Sequence, residues 1–242
     1  MNPAPGHSAP VFVLVPTFNE ASNIERMVAA LLAIPLAHAI LVVDDFSPDD
    51  TGRIVKEVFG GNGRVILVER AGLAGRGQAS VYGYREFLKS DAEWLCEIDA
   101  DFQEDPADIA RLYAAAMETN ADLVVGSRYV DGGSSSSEKT WLSKTANLCM
   151  RLLFRSKIRD VTCSFHLIHR RVLEKMPMGR LNSRTFFVFV QLHLLAERMG
   201  FRCSEIACHF PAREAGDSKV SLRHVLKFGV EALRFRFSLI IE

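Results

Sequence analysis

Hydrophobic residues in the first half of the chain come in short unbroken runs. Each run is followed by a stretch in which they recur every three or four positions. The runs Val11–Pro16, Ala39–Val43, Val65–Val68, Trp94–Ile98 and Leu123–Gly126 predict five buried strands. A strand covered on both faces has no polar side to alternate, so it reads as a continuous apolar run. Between the strands, Asn23–Ala33, Asp50–Phe59, Gln78–Lys89 and a segment opening at Asp105-Pro106 and running to Thr119 predict helices. Asp105 suits an N-cap and Pro106 a first turn. The alternation predicts an α/β fold with an open, mostly parallel sheet flanked by helices. Ligands of such sheets bind outside the carboxyl ends of the strands. The residues that follow each apolar run therefore carry the functional interest.

The second half is less regular. Trp141–Phe154 and Arg184–Met199 predict helices, the latter very apolar. Asp131–Lys139 and Arg213–Ser221 read as loops from their Gly and Ser content. From Leu222 to Phe237, Val225, Leu226, Phe228, Leu233, Phe235 and Phe237 interleave with Arg223, Lys227, Arg234 and Arg236. That mixture predicts an amphipathic helix of the kind that lies on membrane surfaces. Arg151–Arg159 has the same character. No apolar run is long enough to span a bilayer.

Composition refines this reading. At 242 residues and 48% hydrophobic, the chain can bury one sizeable core. The five cysteines are odd in number and lack CxxC spacing, which argues against a disulfide framework or a zinc site and for a reducing compartment. The formal net charge is zero. However, residues 1–130 carry ten Lys/Arg against nineteen Asp/Glu, and residues 131–242 carry the reverse. An acidic half suits a bound cation, and a basic half suits a phosphate or an anionic surface. Residues 1–10 lack the features of a signal peptide and are expected to form a disordered cytosolic tail.

Candidate chemistry clusters where the runs end. Asp99, Asp101 and Gln103 alternate after the fourth strand and share a side if the extended form persists. Two carboxylates and an amide oxygen are hard ligands suited to Mg²⁺ or Mn²⁺. Asp45 follows the second strand and can accept from ribose hydroxyls or a base N–H. Phe18 and Glu20 follow the first strand, placed to pack against or bind a nucleobase. Arg128 follows the fifth strand, where its planar fork can meet a phosphate. Arg213 and Lys219 flank a glycine in a loop able to close on a diphosphate. Turns, helix caps and solvated surface charges are the plain alternatives for each. The glycines of Arg70–Gly77 can cradle a phosphate, but the turn after the first strand reads PTFNE rather than GxGxxG, which disfavours a dinucleotide-dependent oxidoreductase.

Taken in order, PTFNE, VVDDFSPDDTG, RAGLAGRG, DADFQ, GSRYVDGG and REAGDSK resemble the family 2 glycosyltransferases. More narrowly they resemble the dolichol-phosphate mannosyltransferase and bacterial polyprenyl-phosphate glycosyltransferase branch. The resemblance spans residues 11–237. It implies a GT-A catalytic domain over residues 11–220 and a membrane-associating amphipathic helix over 221–242. It also implies that Pro16, Phe18, Glu20, Val43, Asp45, Asp99, Ala100, Arg213 and Lys219 hold a nucleotide-sugar. Asp99, Asp101 and Gln103 would hold Mg²⁺ or Mn²⁺, and Asp101, Arg128 and Arg213 would be catalytic, with Arg128 meeting the acceptor phosphate. The chain departs from the family pattern at Phe46 (usually Gly), Asp50 (Gly or Arg), Leu73 (Lys), Arg76 (apolar), Ser164 (Gly) and Gln191 (Glu). Lys144 also stands after Trp141 where an Arg is usual.

The implied reaction is inverting transfer of a hexose, mannose from GDP-mannose, to a polyprenyl or dolichyl phosphate at the cytoplasmic face of a membrane. No nucleic-acid partner is expected. A phosphate nucleophile is already ionised and needs no strong base. A neutral hydroxyl acceptor needs one, for which Asp160 and His166 are the candidates. A UDP-sugar donor, a non-lipid acceptor and a non-catalytic nucleotide-sugar-binding relative remain open alternatives.

Overall fold

A computed structural model describes residues 10–71, 75–136, 140–211 and 222–239. The expected tail at residues 1–9, Leu73, and Arg213 and Lys219 with their loop lie outside the described residues.

The five apolar runs are the strands β1 (Val11–Thr17), β2 (Ala37–Asp44), β3 (Val65–Glu69), β4 (Trp94–Glu97) and β5 (Leu123–Ser127). The helices between them are α1 (Ile24–Leu32), α2 (Thr51–Phe59), α3 (Arg76–Phe87) and α4 (Asp108–Thr119). The fourth helix opens later than expected. Asp105 Oδ1 accepts from Ala107 N at 2.9 Å and its carbonyl from Asp108 N, so Asp105 caps the turn at Pro106 and Ala107 that leads into the helix. Downstream come β6 (Ser134–Ser135), α5 (Thr140–Phe154), β7 (His166–His169), α6 (Arg170–Lys175), α7 (Phe187–Arg198), β8 (Cys203–Ala207), β9 (His209–Phe210) and α8 (Leu222–Ser238). Ser134 and Ser135 pair with His209 and Phe210, so the expected loop at 131–139 contains a short strand.

The main sheet has the order β3-β2-β1-β4-β7-β5-β8. All its pairings are parallel except those of β7, which runs antiparallel between β4 and β5. That insertion separates the carboxyl ends of β4 and β5 and places residues 163–166 between them. Every residue of β1 is buried. Helix α3 lies close on β1, because a Cβ at Gly83 would stand 2.3 Å from Leu14 Cδ1. No helix among the described residues is long and apolar enough to cross a membrane.

A polar chain runs through this core. His193 shares a hydrogen bond with the Val161 carbonyl at 3.0 Å and lies 3.4 Å from His166, which faces Glu97 at 3.5 Å. All three side chains are buried. Burial pushes His193 from 6.5 down to about 4, against the Val161 carbonyl, which raises it. Burial, then His193 and then Arg76 push His166 down as well. The unfolded chain thus binds more protons than the folded one below pH 6.5. Stability from His193 is complete above that value and is lost as pH falls toward 4, by about 3 kcal/mol over the window. Urea unfolding measured from pH 7 to 4 should show this slope, and His193→Gln should flatten it.

Candidate functional site

The turns after β1 and β2 are stitched into one wall. Asp44, buried, accepts from Thr17 Oγ1 at 2.8 Å and from Ser47 N and Oγ at 2.8 and 2.6 Å. Asn19 N donates to Ser47 Oγ at 3.0 Å, Glu20 N to Thr51 Oγ1 at 3.0 Å and Ala21 N to Asp49 Oδ2 at 3.0 Å. Asp44 is therefore structural, and Asp45 is the carboxylate that continues past it. Asp45 is buried and ion-paired to Arg70, whose Nε donates to Asp45 Oδ1 at 2.7 Å. Pro16 and Val43 are paired neighbours inside the sheet and line the floor with backbone. Glu20 Oε2 accepts from Asn23 Nδ2 at 3.0 Å, which ties it to the entry of α1. Two aromatic rings stand on the rim, Phe18 at 37% exposure and Phe46 at 68%. Phe46 holds φ 55°, a left-handed backbone that ordinarily favours glycine.

The DADFQ segment does not stay extended. Strand β4 ends at Glu97, Asp101 Oδ1 accepts from Gln103 N at 3.1 Å, and Phe102 takes φ 56°. The expectation that alternation aligns Asp99, Asp101 and Gln103 therefore fails, and a side-chain-closed turn replaces it. Ala100 is buried beneath this turn, and Asp101 and Gln103 are half-buried. Gln103 Nε2 donates to the Pro211 carbonyl at 3.3 Å, which ties this turn to the chain that follows β9.

Asp99 is heavily engaged. Its Oδ1 accepts from Arg76 Nε at 3.1 Å and Nη2 at 2.6 Å, and its Oδ2 accepts from Ser164 Oγ at 3.2 Å. Arg76 Nη1 also donates to Glu97 Oε1 and Ser80 Oγ, both at 2.6 Å. Burial works against the Arg76 charge, but Asp99 and Glu97 outweigh it and raise its pKa further. The flanking glycines are used for packing. A Cβ at Gly75 would meet the Arg184 carbonyl at 2.5 Å, and one at Gly77 the Ser183 carbonyl at 2.4 Å. Behind the turn lies Glu104, buried, with Oε2 lacking a hydrogen-bond partner among the described residues. Burial, then Asp99 and Asp101, push its carboxyl well above the usual carboxylate range.

Arg128 leaves the end of β5 and is clasped by Asp160. Its Nε and Nη2 each donate to that carboxylate at 2.7 Å, and its backbone N–H does so at 3.1 Å. Beside it opens a pocket of about 370 Å³ lined by Arg128, Lys144, Asn147, Arg151 and Arg159, with Tyr129 on its wall. Asp160 is the acidic group in contact with Arg128, which leaves the lining strongly cationic. Arg151 Nε is buried without a hydrogen-bond partner among the described residues. Sequence reading missed Lys144 and Arg151 as a site, taking the stretch from Arg151 as interfacial. The available signal was helical spacing: 144, 147, 148 and 151 share one face of α5.

The two base candidates are not accessible. Asp160 is fully buried against Arg128, and His166 is fully buried in the core. Among the described residues no three His, Cys, Asp or Glu side chains form a cluster able to hold a metal. The carboxylate of Asp101 and the amide oxygen of Gln103 are nevertheless of the hard, oxygen-bearing kind that suits Mg²⁺ or Mn²⁺.

Comparison with known proteins places this geometry. A family profile described as glycosyl transferase family 2 matches residues 12–176. Polyprenol monophosphomannose synthase of Mycolicibacterium smegmatis is 37% identical over 214 residues, covering 86% of this chain and 80% of that protein. Undecaprenyl-phosphate mannosyltransferase of Micrococcus luteus is 29% identical over 214 residues, covering 87% of each. Glucosyl-3-phosphoglycerate synthase of Mycobacterium tuberculosis, in a crystal structure with Mn²⁺, UDP and glucosyl-3-phosphoglycerate, superposes with a TM-score of 0.67 at 18% identity, over 95% of this chain and 79% of that one. The sheet order, the flanking helices and these likenesses define a GT-A fold. With the profile running from β1 to the end of α6, and a relative this similar over most of both lengths, the chain belongs to glycosyl transferase family 2.

Proposed function

We propose that this glycosyltransferase moves mannose from GDP-mannose to a polyprenyl phosphate, with inversion, at the cytoplasmic surface of a membrane. The observation that carries the acceptor is the cationic pocket at Arg128, Lys144, Arg151 and Arg159. It offers charge for a phosphate, while the candidate bases Asp160 and His166 are sealed from solvent. A phosphate monoester arrives ionised, so its oxygen attacks the anomeric carbon without a proton acceptor. The wall after β1 and β2 holds the nucleoside, with Phe18 and Phe46 against the base and Asp45 toward its polar edge. Asp101 and Gln103 would hold the divalent cation, whose charge offsets that of the departing diphosphate. Arg213 and Lys219 are assigned to the same diphosphate. Both named relatives act on polyprenyl-type lipids. Exposed Leu148 and Leu152 on α5, and Leu233 and Phe237 on α8, lie among arginines and suit contact with an anionic bilayer.

The test is direct. Purified protein is given Mn²⁺, a short-chain polyprenyl phosphate and, in turn, GDP-mannose, UDP-glucose and other UDP-sugars, and glycolipid is read by mass spectrometry. Mannosyl-lipid from GDP-mannose is expected. Transfer only to water-soluble hydroxyl acceptors would overturn the proposal. The double substitution Lys144→Ala, Arg151→Ala should raise KM for the lipid phosphate about 10-fold or more and leave nucleotide affinity unchanged.

A further inference from the structure

A second cavity, of about 640 Å³, lies at the amino ends of β5 and β8, away from the carboxyl ends where the candidate site stands. Its floor is apolar, with Phe154, Ile158 and Leu194 buried. Its mouth carries four exposed cations, Arg155, Lys157, Arg198 and Arg202. None of these four side chains has an ion-pair or hydrogen-bond partner among the described residues. The carboxylates of the lining are already engaged. Glu197 accepts from Ser156 Oγ at 2.6 Å and Lys157 N at 2.9 Å, and Glu205 from Arg159 N at 2.7 Å and Asp160 N at 2.9 Å. Four cations thus stand against two carboxylates. Ser204 also lines the cavity, and its Oγ is buried without a hydrogen-bond partner among the described residues.

Cations near a helix C-terminus offset the macrodipole, which accounts for Arg198 on α7 and could account for Arg155 after α5. Lys157 and Arg202 lie outside the helices. Arg155 is also in a conformation that disfavours it. It holds φ 57°, and Ser156 N donates to the Arg151 carbonyl at 3.1 Å, a helix ending at which glycine is usual. Glycine would remove that strain, so the guanidinium is what Arg155 contributes.

An anion with an apolar body matches both parts of the cavity, and a bilayer supplies one. Leu148 and Leu152, exposed on α5, lead along the helix to Phe154 and Arg155, so the apolar surface assigned to bilayer contact continues to the cavity's mouth. We propose that this cavity is a headgroup site for an anionic phospholipid. The phosphate sits among the arginines, and the glycerol backbone and first chain carbons lie on Phe154 and Ile158. The lipid is not consumed; it holds the enzyme on the bilayer. This inference rests on reading α5 as a bilayer-facing helix, but not on the acceptor assigned to the pocket at Arg128, and its test separates the two.

Binding of dihexanoyl phosphatidylglycerol, kept below its micelle concentration, is measured by isothermal titration beside dihexanoyl phosphatidylcholine and glycerol 3-phosphate. One site that prefers the anionic lipid over both by about 10-fold or more is expected. Arg198→Gln with Arg202→Gln should weaken it about 10-fold or more. Lys144→Ala with Arg151→Ala, in the other pocket, and Arg85→Gln with Lys175→Gln, exposed on α3 and α6, should each change it less than about 2-fold. Arg155→Gly should raise the thermal midpoint, because glycine suits φ 57°, and still weaken lipid binding; a merely structural cation would not part these two readings. Loss of binding in K144A/R151A with none in R198Q/R202Q would put the lipid in the Arg128 pocket and overturn the inference. Glycerol 3-phosphate binding as tightly as the lipid would make this a free-anion site and overturn it as well. Equal binding of phosphatidylcholine, or no saturable binding, would do the same. Each of these leaves the proposed sugar transfer standing, since the glycolipid assay reads that separately.

Discussion

Replacing Asp101 by Asn is expected to lower turnover by about 10³-fold while leaving the thermal midpoint in place. The argument begins with the turn. Asp101 Oδ1 accepts from Gln103 N and so fixes the reversal that follows β4. An Asn oxygen can make the same bond, so the backbone at Phe102, which depends on this closure to hold its left-handed φ, should persist. Only the charge is removed. Asp99 is engaged by Arg76 and Ser164, and under the proposed function Asp101 is the carboxylate assigned to the cation. Asp101→Ala should match Asn in turnover and cost about 1 kcal/mol more in stability for the lost turn bond. Steady-state transfer with Mn²⁺, beside urea unfolding, reads both quantities. If either variant keeps turnover within 10-fold of the natural chain, the cation is not held at this turn.

Most of the sheet was legible because parallel strands buried on both faces leave a distinctive trace, and the runs at Val11, Ala39, Val65, Trp94 and Leu123 all became strands. The antiparallel β7 was not legible. His166-Leu-Ile-His169 is short and half polar, and its place is decided by partners distant in sequence, Glu97 opposite His166 on β4 and Leu123 opposite Ile168 on β5. That insertion matters, since it delivers Ser164 to Asp99. The polar groups around Arg76 were hidden for a similar reason. Glu97 reads as one polar break in an apolar run, and nothing local shows that Arg76, Ser80 and Tyr84 on α3 converge on it. DADFQ follows a strand as its sequence suggested, but its shape was not legible, because alternation holds only while the backbone stays extended. The cationic pocket was readable in principle from the face shared by Lys144 and Arg151. It was overlooked because charge mixed with apolar residues also describes a helix lying on a membrane.

Loss of Asp160 is expected to be the most destabilising single change near the site, about 3–5 kcal/mol for Asp160→Ala. The carboxylate is fully buried and receives three N–H groups from Arg128, two from the side chain and one from the backbone. Burial opposes the Arg128 charge, and the Asp160 hydrogen bond and charge overcome it. Without that partner an enclosed guanidinium must either bear its desolvation unaided or swing out of the wall. Glu205 would still clamp the adjacent backbone through Arg159 N at 2.7 Å and residue 160 N at 2.9 Å, so the loop itself should hold. Function and stability can then be separated. The pair Arg128→Leu, Asp160→Leu removes both charges and should recover most of the lost stability, as buried pairs replaced by apolar groups commonly do. It should not recover affinity for the lipid phosphate, because the pocket has lost the Arg128 cation. Urea midpoints and acceptor KM, measured on D160A and on the pair, give the two readings. Should D160A unfold within about 1 kcal/mol of the natural chain, Arg128 is solvated rather than clasped, and the pocket must be built around Lys144, Arg151 and Arg159 alone.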